Sequence, residues 1–163
     1  GDEATEDESG PAEPAQHPRE TPVPVVLTRY AAQSLYAPLR TVEPVEGISQ
    51  ANLHPRLDLS TLAPSLPVRA RALAAWRLSD YWVTAVKLTN MSTHPVDLDP
   101  RALQGDLQTA TFQHSFLGRR GDPSDTTVVY LVTRGRDLAK SVLPSLSQVD
   151  SASNMGEANH GDQ

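Results

Sequence analysis

Residues 80–135 read DYWVTAVKLTNMSTHPVDLDPRALQGDLQTATFQHSFLGRRGDPSDTTVVYLVTRG and form a block rich in β-branched and aromatic residues. Three runs in this block, 81–90, 107–117 and 126–134, have the composition and length of β-strands. Each run is bounded by Asn, Asp, Gly or Pro, which favour turns. The block therefore predicts a mainly β chain, folded as a small antiparallel β-sandwich or barrel.

The alternation of apolar and polar side chains along these strands predicts which face of each strand is buried. The run 81–90 begins with apolar residues on both faces, which predicts a strand covered on two sides in its first half. The run 107–117 separates apolar from polar positions, which predicts one buried face. The side chains expected to point into the core are Trp82, Val86, Phe112 and Phe116.

A further strand is predicted directly before the block, at residues 68–78. Alternation with a period of two places Val68, three alanines, Trp76 and Leu78 on one face. The other face carries Arg69, Arg71 and Arg77.

The segment before this strand is predicted to be mostly irregular. Residues 27–36 have apolar positions near helical spacing, with Thr28 as a candidate N-cap, and predict one short helix that ends before Pro38. Residues 39–67 hold four prolines, so we expect an extended, turn-rich wrap with at most one short strand.

Both ends of the chain are predicted to be disordered tails. Residues 1–20 carry seven acidic side chains and one arginine, whereas residues 21–163 carry thirteen acids and thirteen bases, so the net charge of −6 lies in this first segment. Such a segment cannot bury enough apolar surface to offset its ordering entropy. The predicted divisions are an acidic tail at 1–22, a helix and Pro-rich wrap at 23–67, a β-sandwich domain at 68–143 and a second tail at 144–163.

The chain has no cysteine, which excludes disulfides, thiolate metal sites and cysteine nucleophiles. Its five histidines show no metal-ligand spacing, and we interpret His114 as an imidazole at the border of the core. The acids Asp97, Asp99 and Asp106 lack the spacing of a calcium loop and fit turns better. We therefore predict no enzyme activity, cofactor or metal.

The basic stripe of Arg69, Arg71 and Arg77 is the one candidate binding surface. A nucleic-acid platform needs exposed aromatic side chains, and five of the eight aromatic residues are assigned to core strands. The stripe is therefore interpreted as a partner-facing or solvated edge, without direct nucleic-acid binding.

Four segments carry a resemblance to a known family. They are AAQSLYAPLR at 31–40, YWVTAVKLTN at 81–90, VDLDPRALQGDLQTATFQH at 96–114 and DTTVVYLVTRG at 125–135. In this order they resemble the C-terminal part of the TraK-like proteins of integrating conjugative elements. That family is similar to the secretin-like outer-membrane core components of conjugative type IV secretion systems. The chain starts without Met or an export signal, which we interpret as a fragment of a longer protein.

The resemblance implies a periplasmic, outer-membrane-associated structural domain of a secretion channel that supports conjugative DNA transfer. It implies docking to an outer-membrane lipoprotein and to an inner-membrane-anchored scaffold protein, within a homo-oligomeric ring. The alternative left open is a periplasmic carbohydrate-binding sandwich that exposes Trp76 or Tyr81 at a rim.

Overall fold

The structure is a computed structural model, and it describes residues 21–37 and 42–145. Both predicted tails fall largely outside these residues. The described elements are α1 (Val23–Tyr36), β1 (Ser49–Ala51), β2 (Val68–Leu78), β3 (Tyr81–Asn90), β4 (Val96–Asp97), β5 (Thr109–Phe112), β6 (Phe116–Leu117) and β7 (Thr126–Arg134), with 3₁₀ turns at Pro100–Ala102 and Leu138–Lys140.

The strands form a five-stranded sheet in the order β1-β2-β3-β7-β5 and a two-stranded ladder of β4 with β6. All strand pairs are antiparallel. Within the described residues the sheet ends at β1 and β5, so it does not close into a barrel. The prediction of a mainly β, sandwich-like fold is confirmed.

The three long strands match their predicted bounds, because each is a run of alternating or fully buried side chains between turn residues. A two-residue turn joins β2 to β3, and Ser79 in this turn adopts φ 58°. The Pro-rich wrap contributes one short strand, β1.

Helix α1 begins four residues before the predicted start, at Val23 rather than Leu27. Pro24 lies in the first turn, where a backbone N–H has no partner within the helix and its loss costs nothing. Pro22, placed in the predicted tail, is the N-cap, and its carbonyl accepts hydrogen bonds from the N–H groups of Val25 and Val26. Thr28 is therefore not a cap.

Each face of the sheet carries its own apolar core. The helix core, between α1 and the sheet, contains Leu27, Ala31, Trp76, Val83, Ala85, Val128, Tyr130 and Val132. The ladder core, on the opposite face under β4 and β6, contains Leu62, Val86, Leu88, Val96, Leu98, Leu117, Val129, Leu131 and Leu138. Residues 83–88 of β3 thus supply both cores, which confirms that its first half is covered on two sides.

A β-bulge divides β2 into two halves with opposite facing. Ala72 pairs with Val86 in the ladder core, but Ala74 pairs with Ala85 in the helix core, and Leu73 has no partner between them. An extra residue shifts the phase of alternation by one and exchanges the two faces. The prediction that residues 68–78 keep one face throughout is wrong for this reason.

The predicted strand 107–117 is two short strands, because the chain bends at residues 113–115 and β6 leaves the sheet to pair with β4. The bend changes which side chains are buried. Phe116 is 51% exposed and Leu117 is buried instead. His114 is exposed rather than at the border of the core, and its backbone N–H donates to Thr127 Oγ1 at 3.0 Å.

Candidate docking edge

The outer edge of β2 is covered only in its second half. Strand β1 pairs with Ala75, Trp76 and Arg77 and reaches no further. Residues 68–73, called the open half of β2, pair with β3 on one side and with no described strand on the other. Among the described residues, no loop makes backbone hydrogen bonds to this edge either.

Pairing with β3 decides which backbone groups of the open half face outward. The Met91 N–H donates to the Pro67 carbonyl at 2.8 Å, which makes this a hydrogen-bonded pair. Such pairs alternate along an antiparallel ladder, so Arg69 and Arg71 bond to β3. The N–H and C=O groups of Val68 and Ala70 therefore point to the open edge.

A groove with apolar and polar lining lies beside this edge. Its larger part, about 490 Å³, lies between residues 57–63 of the wrap and Val68 to Ala70 of β2. A second part of about 300 Å³ continues along Ala70 to Ala72 and shares Leu57, Leu59 and Ala70 with the first. The groove opens on the ladder face, because Val68 and Ala70 pack against the ladder core.

Polar groups at the groove are held by their own loop. Asp58 accepts the Ser60 backbone N–H at 2.9 Å, and this bond is the largest cause of the lowered pKa of its carboxyl. His54 Nδ1 accepts the Arg56 backbone N–H at 3.0 Å, so its ring is fixed within the turn. The groove is thus lined by leucine and alanine side chains together with polar groups, among them the Asp58 carboxylate.

The opposite face of the open half is cationic. Arg71 pairs directly with Lys87, and Arg69 with Thr89. The cationic patch is defined as Arg69, Arg71 and Lys87. Neither arginine side chain has an ion-pair or hydrogen-bond partner among the described residues, and Asp125 is the one acid there with an electrostatic coupling to Lys87. The pKa of Asp125 is lowered first by the Gly121 backbone N–H, then by the Thr126 hydroxyl and the Lys87 charge.

Arg77 does not belong to this patch. It follows the bulge and lies across from Trp82, on the ladder face, with its guanidinium 4.5 Å from the Trp82 ring centroid. Its Nε donates to the Ser79 carbonyl at 2.8 Å. The predicted stripe of three arginines is therefore wrong as a single surface: the structure brings Arg69 and Arg71 together and separates Arg77 from both.

Sequence reasoning missed two parts of the site. Lys87 was assigned only to a strand face, and its pairing with Arg71 depends on the hairpin register. Leu57 and Leu59 fell in the wrap, and only their leucine content in a Pro-rich stretch hints that this segment packs on the sheet.

The other candidate residues lie apart. Asp99 pairs with Arg101 at 2.8 Å, and the Arg101 side chain holds the pKa of that carboxyl at about 2. Asp106 pairs with Arg136 at 2.9 Å. In residues 21–37 and 42–145, no group of three or more His, Cys, Asp or Glu side chains is placed to hold a metal ion.

Neither aromatic residue named for carbohydrate binding is presented at a free rim. Trp76 is 7% exposed, and its ring meets Tyr30 edge to face at 6.5 Å. Tyr81 is half-buried, and the Arg134 guanidinium lies 5.0 Å from its ring centroid. This arrangement gives the carbohydrate-binding alternative no support.

The fold and the edge define a small antiparallel β domain with one unpaired half-strand between a groove and a cationic patch. Residues 2–152 match the family described as protein of unknown function DUF3438, and the chain belongs to that family. The comparison with curated proteins finds no match. No helix among the described residues is long and apolar enough to cross a bilayer.

Proposed function

We propose that this chain is a non-enzymatic assembly domain of the outer-membrane core complex of a conjugative type IV secretion system. In this role it docks partner proteins in the periplasm and supports conjugative DNA transfer. The observation that carries the docking role is the open half of β2, where backbone groups face outward along a groove lined in part by Leu57 and Leu59. The resemblance to the TraK-like proteins supplies the proposed system, location and partners.

The docking step is strand addition. An extended segment of the partner pairs with the outward N–H and C=O groups of Val68 and Ala70 and adds a strand to the sheet. Each backbone hydrogen bond formed contributes about 0.5–1.5 kcal/mol net, and side chains at alternate positions supply specificity. Apolar side chains of the added strand enter the groove between Leu57, Leu59 and Ala70.

The added strand turns its other side chains toward the cationic patch. Because Arg69 and Arg71 lack acidic partners in the described structure, acidic residues at these positions gain an ion pair without breaking an existing one. The preferred segment therefore alternates apolar and acidic residues. The proposed partners that carry such segments are the outer-membrane lipoprotein and the inner-membrane-anchored scaffold protein, around a ring of identical copies.

The non-enzymatic part of the proposal is supported by the placement of the histidines. His54 and His94 each contact groups of their own turns, and His114 is exposed with only its backbone N–H engaged. None of the three is placed against a serine and an acid as a hydrolytic triad requires.

Co-expression with the outer-membrane lipoprotein encoded in the same element tests the proposal, with size-exclusion chromatography as the measurement. We expect a stable complex of the two proteins. Ala70→Pro removes an outward N–H and leaves the bonds to β3 intact, so it is expected to fold and to lose the complex. Ala70→Ser, the matched control, keeps the N–H and nearly the same side-chain volume, and is expected to retain the complex.

The outcomes separate two failures. Co-elution of Ala70→Pro with the lipoprotein would show that the edge of β2 is not the docking surface. Failure of the parent protein to bind both the lipoprotein and the scaffold protein would remove the assembly role itself.

A further inference from the structure

We propose that residues 2–13 of this chain dock on its own cationic patch. The inference stands whether or not a partner strand adds to β2. Residues 2–13 carry six acidic side chains (Asp2, Glu3, Glu6, Asp7, Glu8 and Glu13) and no basic one. The segment lies outside the described residues, and the arginines of the patch have no ion-pair partner among the described residues.

The distribution of charge along the chain favours residues 2–13 as the segment that docks on the cationic patch. Residues 21–163 carry equal numbers of acids and bases, so the acidic surplus of the chain lies before the helix. Three of the arginines in the described residues, Arg101, Arg134 and Arg136, are paired with Asp99, Asp80 and Asp106. Arg69 and Arg71 are exposed and have no such partner among the described residues, and across from Arg71 lies a second cation, Lys87.

The cationic patch lies on the face of the sheet that also carries α1. Lys87 alternates with Val83 and Ala85 along β3, and these two residues pack against α1 in the helix core. The cationic patch therefore lies on the same face of the sheet as α1. The chain that connects residues 2–13 to α1 ends at the first turn of the helix, so the acidic segment can reach the patch without crossing an edge of the sheet.

The connecting chain is long enough. The start of α1 lies over β5, where Pro24, Val25 and Thr28 share a cavity of about 300 Å³ with Thr109 and Thr111. Strand β5 is three strands from β2, a distance of about 14 Å at the usual strand spacing. Residues 14–20 alone span up to about 23–25 Å when extended.

The register of the sheet shows that the cationic patch lies close to the residues that α1 covers. Thr111, Tyr130, Ala85 and Ala74 form one row across the sheet. Lys87 and Arg71 lie one step of alternation further along the same face, about 7 Å away. Arg71 and Lys87 thus lie on this face one row beyond Ala74 and Ala85, in the row that also holds Val128 of the helix core.

The acidic segment belongs to the matched family region, which begins at residue 2. Its docking has a direct consequence for binding. Any acidic ligand of Arg69 and Arg71 must displace residues 2–13. To bind, such a ligand therefore needs more acidic residues than it would need on an unoccupied patch.

Paramagnetic broadening in NMR tests this contact on the full chain. Because the chain has no cysteine, Ala4→Cys carries a single nitroxide label. We expect the amide signals of Arg69, Arg71 and Lys87 to lose at least twice as much intensity as those of Asp80 and Gly135 at the hairpin end of the sheet. In about 0.5 M salt, where screening is short-ranged, this preference is expected to disappear.

Two variants separate the patch from charge in general. Arg69→Gln with Arg71→Gln is expected to abolish the preferential broadening. Arg134→Gln removes a cation of the same kind at the hairpin end and is expected to leave it unchanged. Equal broadening at the patch and at the hairpin in the parent protein would overturn the proposal.

A mixing experiment decides whether the contact is within one chain. Spin-labelled protein without isotope is mixed with isotope-labelled protein without a spin label. Docking within one chain predicts no broadening in this mixture. Broadening at Arg69 and Arg71 there would assign the segment to a second copy and overturn the intramolecular contact.

Discussion

The two halves of β2 are one continuous strand with opposite roles. The closed half, residues 74–78, is covered by β1 along part of its edge and buries Trp76 under α1. The open half, residues 68–73, has a bare edge, a groove on one face and a cationic patch on the other. The comparison teaches that one strand can stabilise the domain at the end that β1 covers and remain available for binding at the end that β1 does not reach.

The bulge explains why both halves tolerate their sequences. Without it, either Trp76 or the alanines of the open half would change faces, because alternation is strict along an undisturbed strand. With it, Ala70 and Ala72 face the ladder core and Trp76 faces the helix core. Arg69 and Arg71 are thereby kept away from the ladder core.

Deletion of Ala72 and Leu73 together is predicted to have the largest effect. The closed half is held by the hairpin, so the shortened open half places Arg71 opposite Val86 and Arg69 opposite Leu88, in the ladder core. Burial of unpaired charges costs several kcal/mol each, which is comparable with the whole stability of a domain of this size. We expect a protein without a cooperative unfolding transition in urea, followed by circular dichroism.

Deletion of Leu73 alone is the matched control. It removes only the residue without a partner in β3, so Ala72 stays opposite Val86 and Ala74 stays opposite Ala85. Both arginines keep their face, and the expected loss in the free energy of unfolding is less than about 1 kcal/mol. A double-deletion variant that unfolds cooperatively with the parent midpoint would show that the register with β3 does not determine which core the arginines face.

Trp76→Ala is predicted to show that stability resides in the closed half. Removal of this buried ring, which contacts Tyr30 edge to face, is expected to cost about 3–5 kcal/mol. Arg69→Gln in the open half removes an exposed cation and is expected to change the free energy of unfolding by less than about 0.5 kcal/mol. Equal losses in the two variants, measured by urea denaturation, would contradict the comparison.

The sequence predicts the closed half better than the open half, for physical reasons. Periodicity of two gives the bounds of β2, β3 and β7, because alternation reports burial directly. The run Ala72–Leu73–Ala74–Ala75 contains neither Gly nor Pro, and alanine fits either face, so no local signal marks the bulge. Because the bulge has no sequence signal, alternation places residues 74–78 on the wrong faces. For the same reason it places Arg77 on one surface with Arg69 and Arg71.

The candidate site was only partly accessible from sequence. Arg69 and Arg71 were identified because they alternate, whereas Lys87 joins them only through the hairpin register. The groove depends on residues 57–63 packing beside β2, a contact between segments that have no shared pattern. Likewise, the bend at 113–115 exposes Phe116 without Gly or Pro to signal it.

Alkaline pH is predicted to destabilise the domain through the helix core. Tyr130 lies in the helix core, and burial, followed by the effect of Tyr36, raises the pKa of its phenol to about 12. A raised pKa in the folded state means that the stabilisation is complete below the ordinary value near 10. It is lost as pH rises from about 10 to about 12.

Phenolate absorbance measures this prediction. The signal that appears near pH 12 is expected to vanish in Tyr130→Phe, which retains the ring but loses the hydrogen bond from Tyr130 Oη to Gln113 Oε1. An unchanged titration curve in this variant would assign the high pKa to another tyrosine.

Arg71→Glu is predicted to have the smallest effect on stability, and of the opposite sign. Arg71 lies directly across from Lys87, and like charges at this position destabilise a sheet. The substitution replaces the repulsion with an ion pair and is expected to raise the free energy of unfolding by about 0.2–1 kcal/mol. Arg71→Gln, which removes the repulsion without adding an attraction, should fall between the two proteins.

In Arg71→Glu, the free energy of unfolding is expected to rise while the docking of residues 2–13 is lost. The same change that stabilises the β2–β3 pair introduces an acid into the cationic patch, so docking of residues 2–13 is expected to be lost. If the arginines served only to keep an exposed edge from aggregating, the paramagnetic broadening would be unaffected, since a glutamate protects an edge as well as an arginine does. A stabilised variant with lost broadening therefore indicates that Arg71 contributes to binding at a small cost in stability, whereas retained broadening would show that docking of residues 2–13 does not depend on the charge of Arg71.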